Sequence, residues 1–143
     1  MKAIKLELKQ RLWNDSHARP AQDRYLSLFT MNPEPMWIYE VKTLQILDVN
    51  EAAVERYGYS RKEFLSLTIR DLRPEEDIPK FLELTHELPN YDRTGPWRHR
   101  LKSGEVIQVL ITSHAVSYRE HDARIVMAEN LSEQTDVTEE DID

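Results

Sequence analysis

The sequence predicts an α+β fold: a five-stranded antiparallel sheet with short helices on one face and an N-terminal helix outside the core. Three observations predict it. Two short apolar runs at 36–49 are split by a tight turn, as a strand pair would be. Three more strand-like runs fill the final third. Between the two groups lie stretches that carry their own helix start and stop signals.

In the first segment Ile4, Leu8 and Leu12 share a helical face, and Glu, Lys, Gln, Arg and Leu dominate. The polar stretch NDSHARPAQD (14–23) contains Pro20 and reads as a linker. Residues 24–31 read as helix, with Tyr25, Leu28 and Phe29 inward. The run Asn32-Pro33-Glu34-Pro35 stops it, because proline disfavours helix before it and cannot donate. MWIYEV (36–41) and LQILDV (44–49) are then two strands around Lys42-Thr43, with Trp37, Tyr39 and Val41 on one face.

Asn50 is an N-cap residue with Glu51 in the positive first turn. Val54 and Tyr57 share a face, and Gly58 suits a left-handed closing position. Ser60 and Glu63 have capping-box spacing before Phe64 and Leu65. Residues 70–77 read as loop. Pro79 opens a longer helix whose stripe is Phe81, Leu82, Thr85 and Leu88. The last strands are PWRHRLK, EVIQVLITSHAV and ARIVMAENL; Ser103-Gly104 turns the first into the second, and Tyr118 to Asp122 the second into the third. The acidic tail is expected to fray. The organisation is therefore an N-terminal helix and linker (1–20), one domain (21–134) and a tail or output linker (135–143). Several strands are apolar on both sides, so the sheet's outer face needs a cover from the N-terminal helix or a second copy.

Composition narrows the function. The 143 residues suffice for one core. A net charge of −7 disfavours nucleic acid and anionic membranes as partners. There are no cysteines, which excludes disulfides, thiol nucleophiles and thiolate metal sites. No run approaches the roughly 20 apolar residues of a membrane span, and no signal peptide is evident, so a cytoplasmic location is expected. Three glycines leave no room for a Gly-rich phosphate loop.

The stretches NPEPMWIYEV, ILDVNEAAVERYGYSRKEFL, WRHRLKSGEVIQVLITSHAV and ARIVMAENLSE resemble the PAS domain family. The second is the most specific, with a strand, Asn-x-Ala-Ala, an aromatic-Gly-Tyr-Ser and Glu-Phe-Leu. Two departures stand out: Ser103 replaces the usual Asp of the hairpin, and Asn130-Leu131-Ser132-Glu133 lacks the customary Asp of the output linker. The resemblance implies a sensor or signal-relay module, as in bacterial histidine kinases, second-messenger enzymes and transcription regulators. It implies an output domain or partner signalling protein; the apolar face of the N-terminal helix separately predicts a homodimer, unless that helix folds back on its own sheet and leaves a monomer. No phosphoacceptor box, ATP-binding segment or GGDEF-like string is present, so no enzymatic activity is expected of this chain.

The candidate site is an aromatic cup. Trp37, Tyr39, Tyr57, Phe64 and Trp97 either line a ligand pocket or form an ordinary packed core, with Val54 at its wall. Tyr39, Tyr57, His99 and Ser113 are its candidate polar contacts. No cofactor or metal is expected, though an unidentified small ligand fits the cup. Pairing Lys102 with Glu105 puts His99 opposite position 108, too far from His114 to share a metal. His86 reads as a helix-surface histidine, the Arg98-Arg100 pair as a solvated sheet face or dimer rim, and Glu75-Glu76-Asp77 as a solvated charge run. Ile4, Leu8 and Leu12, with Trp13 at the edge, are the candidate dimer face. Besides a sensory module, two readings stay open: an interaction module without ligand, and a small enzyme that lacks any motif.

Overall fold

A computed structural model describes residues 28–131. The N-terminal helix with Ile4, Leu8, Leu12 and Trp13, and the acidic tail, lie outside the described residues.

Five strands form one antiparallel sheet: β1 (Met36–Glu40), β2 (Ile46–Val49), β3 (Tyr91–Arg100), β4 (Val106–Tyr118) and β5 (His121–Asn130), in the order β2-β1-β5-β4-β3. The last strand therefore inserts beside the first. The connection from β2 to β3 crosses one face, carrying α1 (Glu51–Tyr57), α2 (Arg61–Phe64), two 3-10 turns and α3 (Ile78–Thr85).

Alternation divides the side chains between two cores. Trp37, Tyr39, Ile107, Val109, Ile111 and Val126 face the helices and pack with Tyr57, Phe64, Leu72 and Phe81. Ile38, Ala123 and Ile125 face the other way and pack with Phe29. Residues 28–30 are helical, and Phe29 supplies cover for the outer face. Leu28, expected inward, is 71% exposed because the helix turns it away from the sheet.

The caps form as the sequence predicts. Asn50 accepts the Ala53 N–H, and Gly58 closes α1 with φ 85°. Ser60 and Glu63 cap α2 reciprocally at 3.1 and 2.9 Å.

Five boundaries differ. The β1–β2 turn is longer than Lys42-Thr43: the Leu44 N–H closes it onto the Glu40 carbonyl with φ 66°, leaving Val41 beyond β1 and 48% exposed. Residues 69–77 are not plain loop. Ile69–Leu72 and Glu75–Asp77 are 3-10 turns, the first held by the Thr68 N–H donating to Asp71 and by burial of Ile69 and Leu72. The longer helix stops at Thr85, and Leu82 leaves the expected stripe to lie 37% exposed. The β4–β5 turn needs only Arg119 and Glu120, both with positive φ, as a two-residue hairpin turn requires. Finally, β3 starts at Tyr91 rather than Pro96.

That last difference shapes the interior. Thr94 pairs with Ile111, but Trp97 pairs with Val109, so β3 has one extra residue across Gly95-Pro96. Such a bulge resets the alternation, bringing both Thr94 and Trp97 to the helix side. Gly95 is required there, since a Cβ would lie 2.9 Å from the Val109 carbonyl oxygen. The register also puts His99 opposite Ile107, one position from the expected 108, and His114 opposite Tyr91. The two histidines remain far apart.

Candidate functional site

Between the sheet and α3 lies a cavity of about 170 Å³. Its floor is the helix-side face of β1, β4 and β5, given by Trp37, Tyr39, Ile111, Ser113 and Val126. The roof is α3 and the chain just after it, through Phe81, Thr85 and Leu88. Ile69 and Arg73 close one end, while Asp92, Thr94 and Trp97 from β3 form the side wall. Leu84 also lines it and is half exposed, so the opening to solvent lies there.

The roof is fixed by two contacts. The Phe81 ring meets Trp97 edge-on, at 6.1 Å between centroids and 88° between planes. Just before α3, Asp77 accepts two hydrogen bonds from the Arg98 guanidinium, at 2.9 and 2.7 Å. This bidentate pair ties the start of α3 to the edge strand. Hydrogen bonding from Arg98 holds the Asp77 carboxyl below its ordinary range. Arg98 is therefore not a plain solvated-face residue, and the 75–77 run is not wholly solvated. At an edge strand, a long side chain reaches round to the helix layer.

Four of the eight expected cup residues line the cavity: Trp37, Tyr39, Trp97 and Ser113. The other four do not. Tyr57, Phe64 and His99 are fully buried in packed core, and Val54 sits half-buried at its margin. Tyr57 and His99 form a pair, hydroxyl to Nδ1 at 2.6 Å, and Trp37 meets the Tyr57 ring edge-on and the His99 ring at a tilt. Burial, with the Arg73 charge adding to it, pushes His99 well below its ordinary pKa, so it is neutral at pH 7. Its Nε2 has no hydrogen-bond partner among the described residues.

Sequence reasoning missed the residue that most distinguishes the cavity. Arg73 is only 5% exposed. Its guanidinium lies 3.6 Å over the Phe81 ring, and Nη1 donates to the Ile69 carbonyl at 3.1 Å. Its Nε is buried with no hydrogen-bond partner among the described residues. Burial lowers its pKa to about 10, so it stays charged near neutrality. Nothing in the charged stretch RDLRPEED marks this arginine as different from its neighbours. A second buried arginine, Arg124, donates to the Ser113 hydroxyl from Nε and Nη2 at 3.1 and 2.9 Å. Burial raises the Tyr39 hydroxyl's pKa, with Arg124 and Arg73 pulling the other way, so the phenol is neutral.

A family model described as "PAS domain" matches residues 33–139, about three quarters of the chain. The chain belongs to the PAS domain family. Solved structures agree on the fold. The PAS domain of an HTR-like protein from Haloarcula marismortui is 15% identical, covers 79% of this chain and 99% of its own, and gives a TM-score of 0.66. A domain of a sensory box sensor histidine kinase/response regulator from Geobacter sulfurreducens is 20% identical, with 76% and 92% covered and a TM-score of 0.64. The Drosophila melanogaster Cycle PAS-B, with bound ethylene glycol, is 20% identical, with 67% and 98% covered and a TM-score of 0.58. No curated protein matches. Among the described residues of this PAS domain, no helix is long and apolar enough to cross a membrane, and no group of three metal-ligating side chains comes together.

Proposed function

We propose that this PAS domain is a sensory, signal-relay module whose cavity binds a small organic ligand and passes occupancy to an output domain or partner signalling protein. The carrying observation is the cavity itself. Protein interiors are close-packed, with few voids larger than a water molecule. Here about 170 Å³ stays open between the sheet and α3. Its walls mix aromatic faces with a few polar groups, the usual makeup of a ligand site. Likeness to PAS domains of sensor histidine kinases supports the relay role. The bound ethylene glycol of Cycle PAS-B supports small-molecule capture by this fold.

The reading excludes haem and flavin, because drug-sized ligands already need pockets of roughly 300 Å³ or more. It also excludes a cysteine-adduct photocycle, since the chain has no cysteine. We assign no catalytic step to this chain. Native mass spectrometry of the full chain with a library of small acids, amides and alcohols tests the reading. Saturable one-to-one binding of at least one compound class is expected. No binding to any class at millimolar concentration contradicts the reading and favours an interaction module without ligand.

A homodimer belongs to the same reading. Its face is the one the sequence offers, Ile4, Leu8 and Leu12 with Trp13 at the edge, and burying such side chains yields about 1.5–3 kcal/mol each.

A further inference from the structure

The geometry points to a monocarboxylate with a compact apolar body as the ligand class, its carboxylate held by Arg73 with the Ser113 and Tyr39 hydroxyls as further donors. This rests on the cavity being a ligand site and specifies what it takes.

Charge comes first. A buried guanidinium with no carboxylate partner is costly, because desolvation is not repaid by a counter-charge. Among the described residues Arg73 is in that position: no carboxylate forms an ion pair with it, although Asp77 acts on it electrostatically. The carboxylate nearest in sequence among its electrostatic neighbours, Asp77, is engaged by Arg98. Of the guanidinium's five N–H donors, the described residues take one, for the Ile69 carbonyl. Phe81 covers one flat face, and Arg73 lines the cavity, where a planar acceptor would meet the N–H groups the protein leaves over. A carboxylate matches those groups in shape and charge.

The remaining polar groups are donors too. The Ser113 oxygen accepts two N–H groups from Arg124, so both lone pairs are engaged and its own O–H is left to donate. The Tyr39 hydroxyl has no hydrogen-bond partner among the described residues, and its ring lines the cavity. Asp92 is the one carboxylate at the wall. Among the described residues Arg73 is the one cation at the wall, and Arg124 lies buried behind Ser113, so the polar end of the cavity favours one negative group over two.

Size and wall chemistry define the rest. The volume is close to that of an engineered apolar cavity of about 150 Å³ that holds benzene. Trp37, Trp97, Phe81, Ile111 and Val126 give the apolar surface. A single ring or short branched chain carrying one carboxylate therefore fits.

Calorimetric titration of the full chain at pH 7 tests this with benzoate, phenylacetate and hexanoate, each against its uncharged amide. A charge-assisted hydrogen bond contributes about 1.5–3 kcal/mol, so at least one carboxylate should bind about 10- to 100-fold more tightly than its amide. Arg73→Gln should erase that preference while changing amide binding less than about threefold. If Arg73→Gln does not fold, the carboxylate-to-amide ratio on the unaltered chain still decides. Amides binding as tightly as the acids would overturn the anion assignment and leave the ligand cavity standing. Preference surviving in folded Arg73→Gln would overturn the role of Arg73. Failure of both classes at about 10 mM would overturn this inference, while binding of another class from the wider library would leave the ligand-binding reading standing.

Discussion

Replacing Asn50 with alanine should damage this fold more than the loss of an ordinary helix cap. The side chain is 2% exposed and makes four hydrogen bonds. Oδ1 accepts from the Met36 and Ala53 N–H groups, at 2.9 and 3.0 Å. Nδ2 donates to the Phe29 and Glu34 carbonyls, at 2.9 and 3.0 Å. One residue therefore joins the covering segment, the start of β1 and the start of α1. Asn50→Ala orphans two N–H groups and two carbonyls. The cap alone is worth about 1 kcal/mol. The other three groups add about 0.5–1.5 each where water can reach them, and up to about 3 where it cannot. The sum is roughly 3–5 kcal/mol, a large share of the 5–15 kcal/mol that holds a typical domain. Urea unfolding followed by tryptophan fluorescence reads it out. With a slope of about 1–3 kcal/mol/M, the midpoint should fall by about 2 M. Asn50→Ser, which keeps only the cap, should recover about 1 kcal/mol of the loss. A loss below about 1 kcal/mol for Asn50→Ala would refute the tether, because it would mean the four groups are satisfied without it.

Two further outcomes follow from the same geometry, and a third from the apolar face the sequence gives the N-terminal segment. Gly58→Val should destabilise by roughly 1–3 kcal/mol through backbone strain at positive φ, since a Cβ would meet Lys102 only at an ordinary 3.5 Å; an unmoved midpoint contradicts this. Because His99 is held neutral in the folded state while its unfolded pKa is near 6.5, only the unfolded chain takes up the proton as pH falls. Stability should then fall below pH 6.5, at up to roughly 1.4 kcal/mol per unit; His99→Gln should flatten the profile between pH 7 and 5, and an unchanged slope argues against a buried neutral imidazole. Light scattering should show a dimer for the full chain at about 100 μM that is lost when the chain starts at Ala21; a full-length monomer removes the homodimer from the account.

What the sequence disclosed was mostly local. Asn50, Gly58, Ser60 and Glu63 act through near neighbours, so their spacing alone announced α1 and α2. Alternation likewise placed Trp37, Tyr39 and Ser113 on one sheet face, since a period of two survives wherever pairing is regular. It failed at β3, where Gly95-Pro96 reads as a break. There the chain inserts a bulge and continues the strand, which hid Asp92 and Thr94 from the site. Arg73 was invisible for another reason. A charged residue defaults to solvent, and only the assembled cavity, with Phe81 over the guanidinium and Trp97 beside it, reveals that this one is enclosed. His99 and Tyr57 gave the opposite difficulty: polar groups on the inner face read as ligand contacts, yet they bond to each other and leave the cavity.

The central claim is that the space between the sheet and α3 is where this PAS domain senses its ligand. Amide chemical-shift mapping of the isotope-labelled chain during titration with benzoate tests that most directly. The account predicts saturable shifts concentrated at Tyr39, Arg73, Thr85, Thr94 and Ser113, with the outer-face residues Ile38 and Ile125 unmoved. Shifts centred on the outer face, or none at saturating millimolar benzoate and its amide, would contradict it.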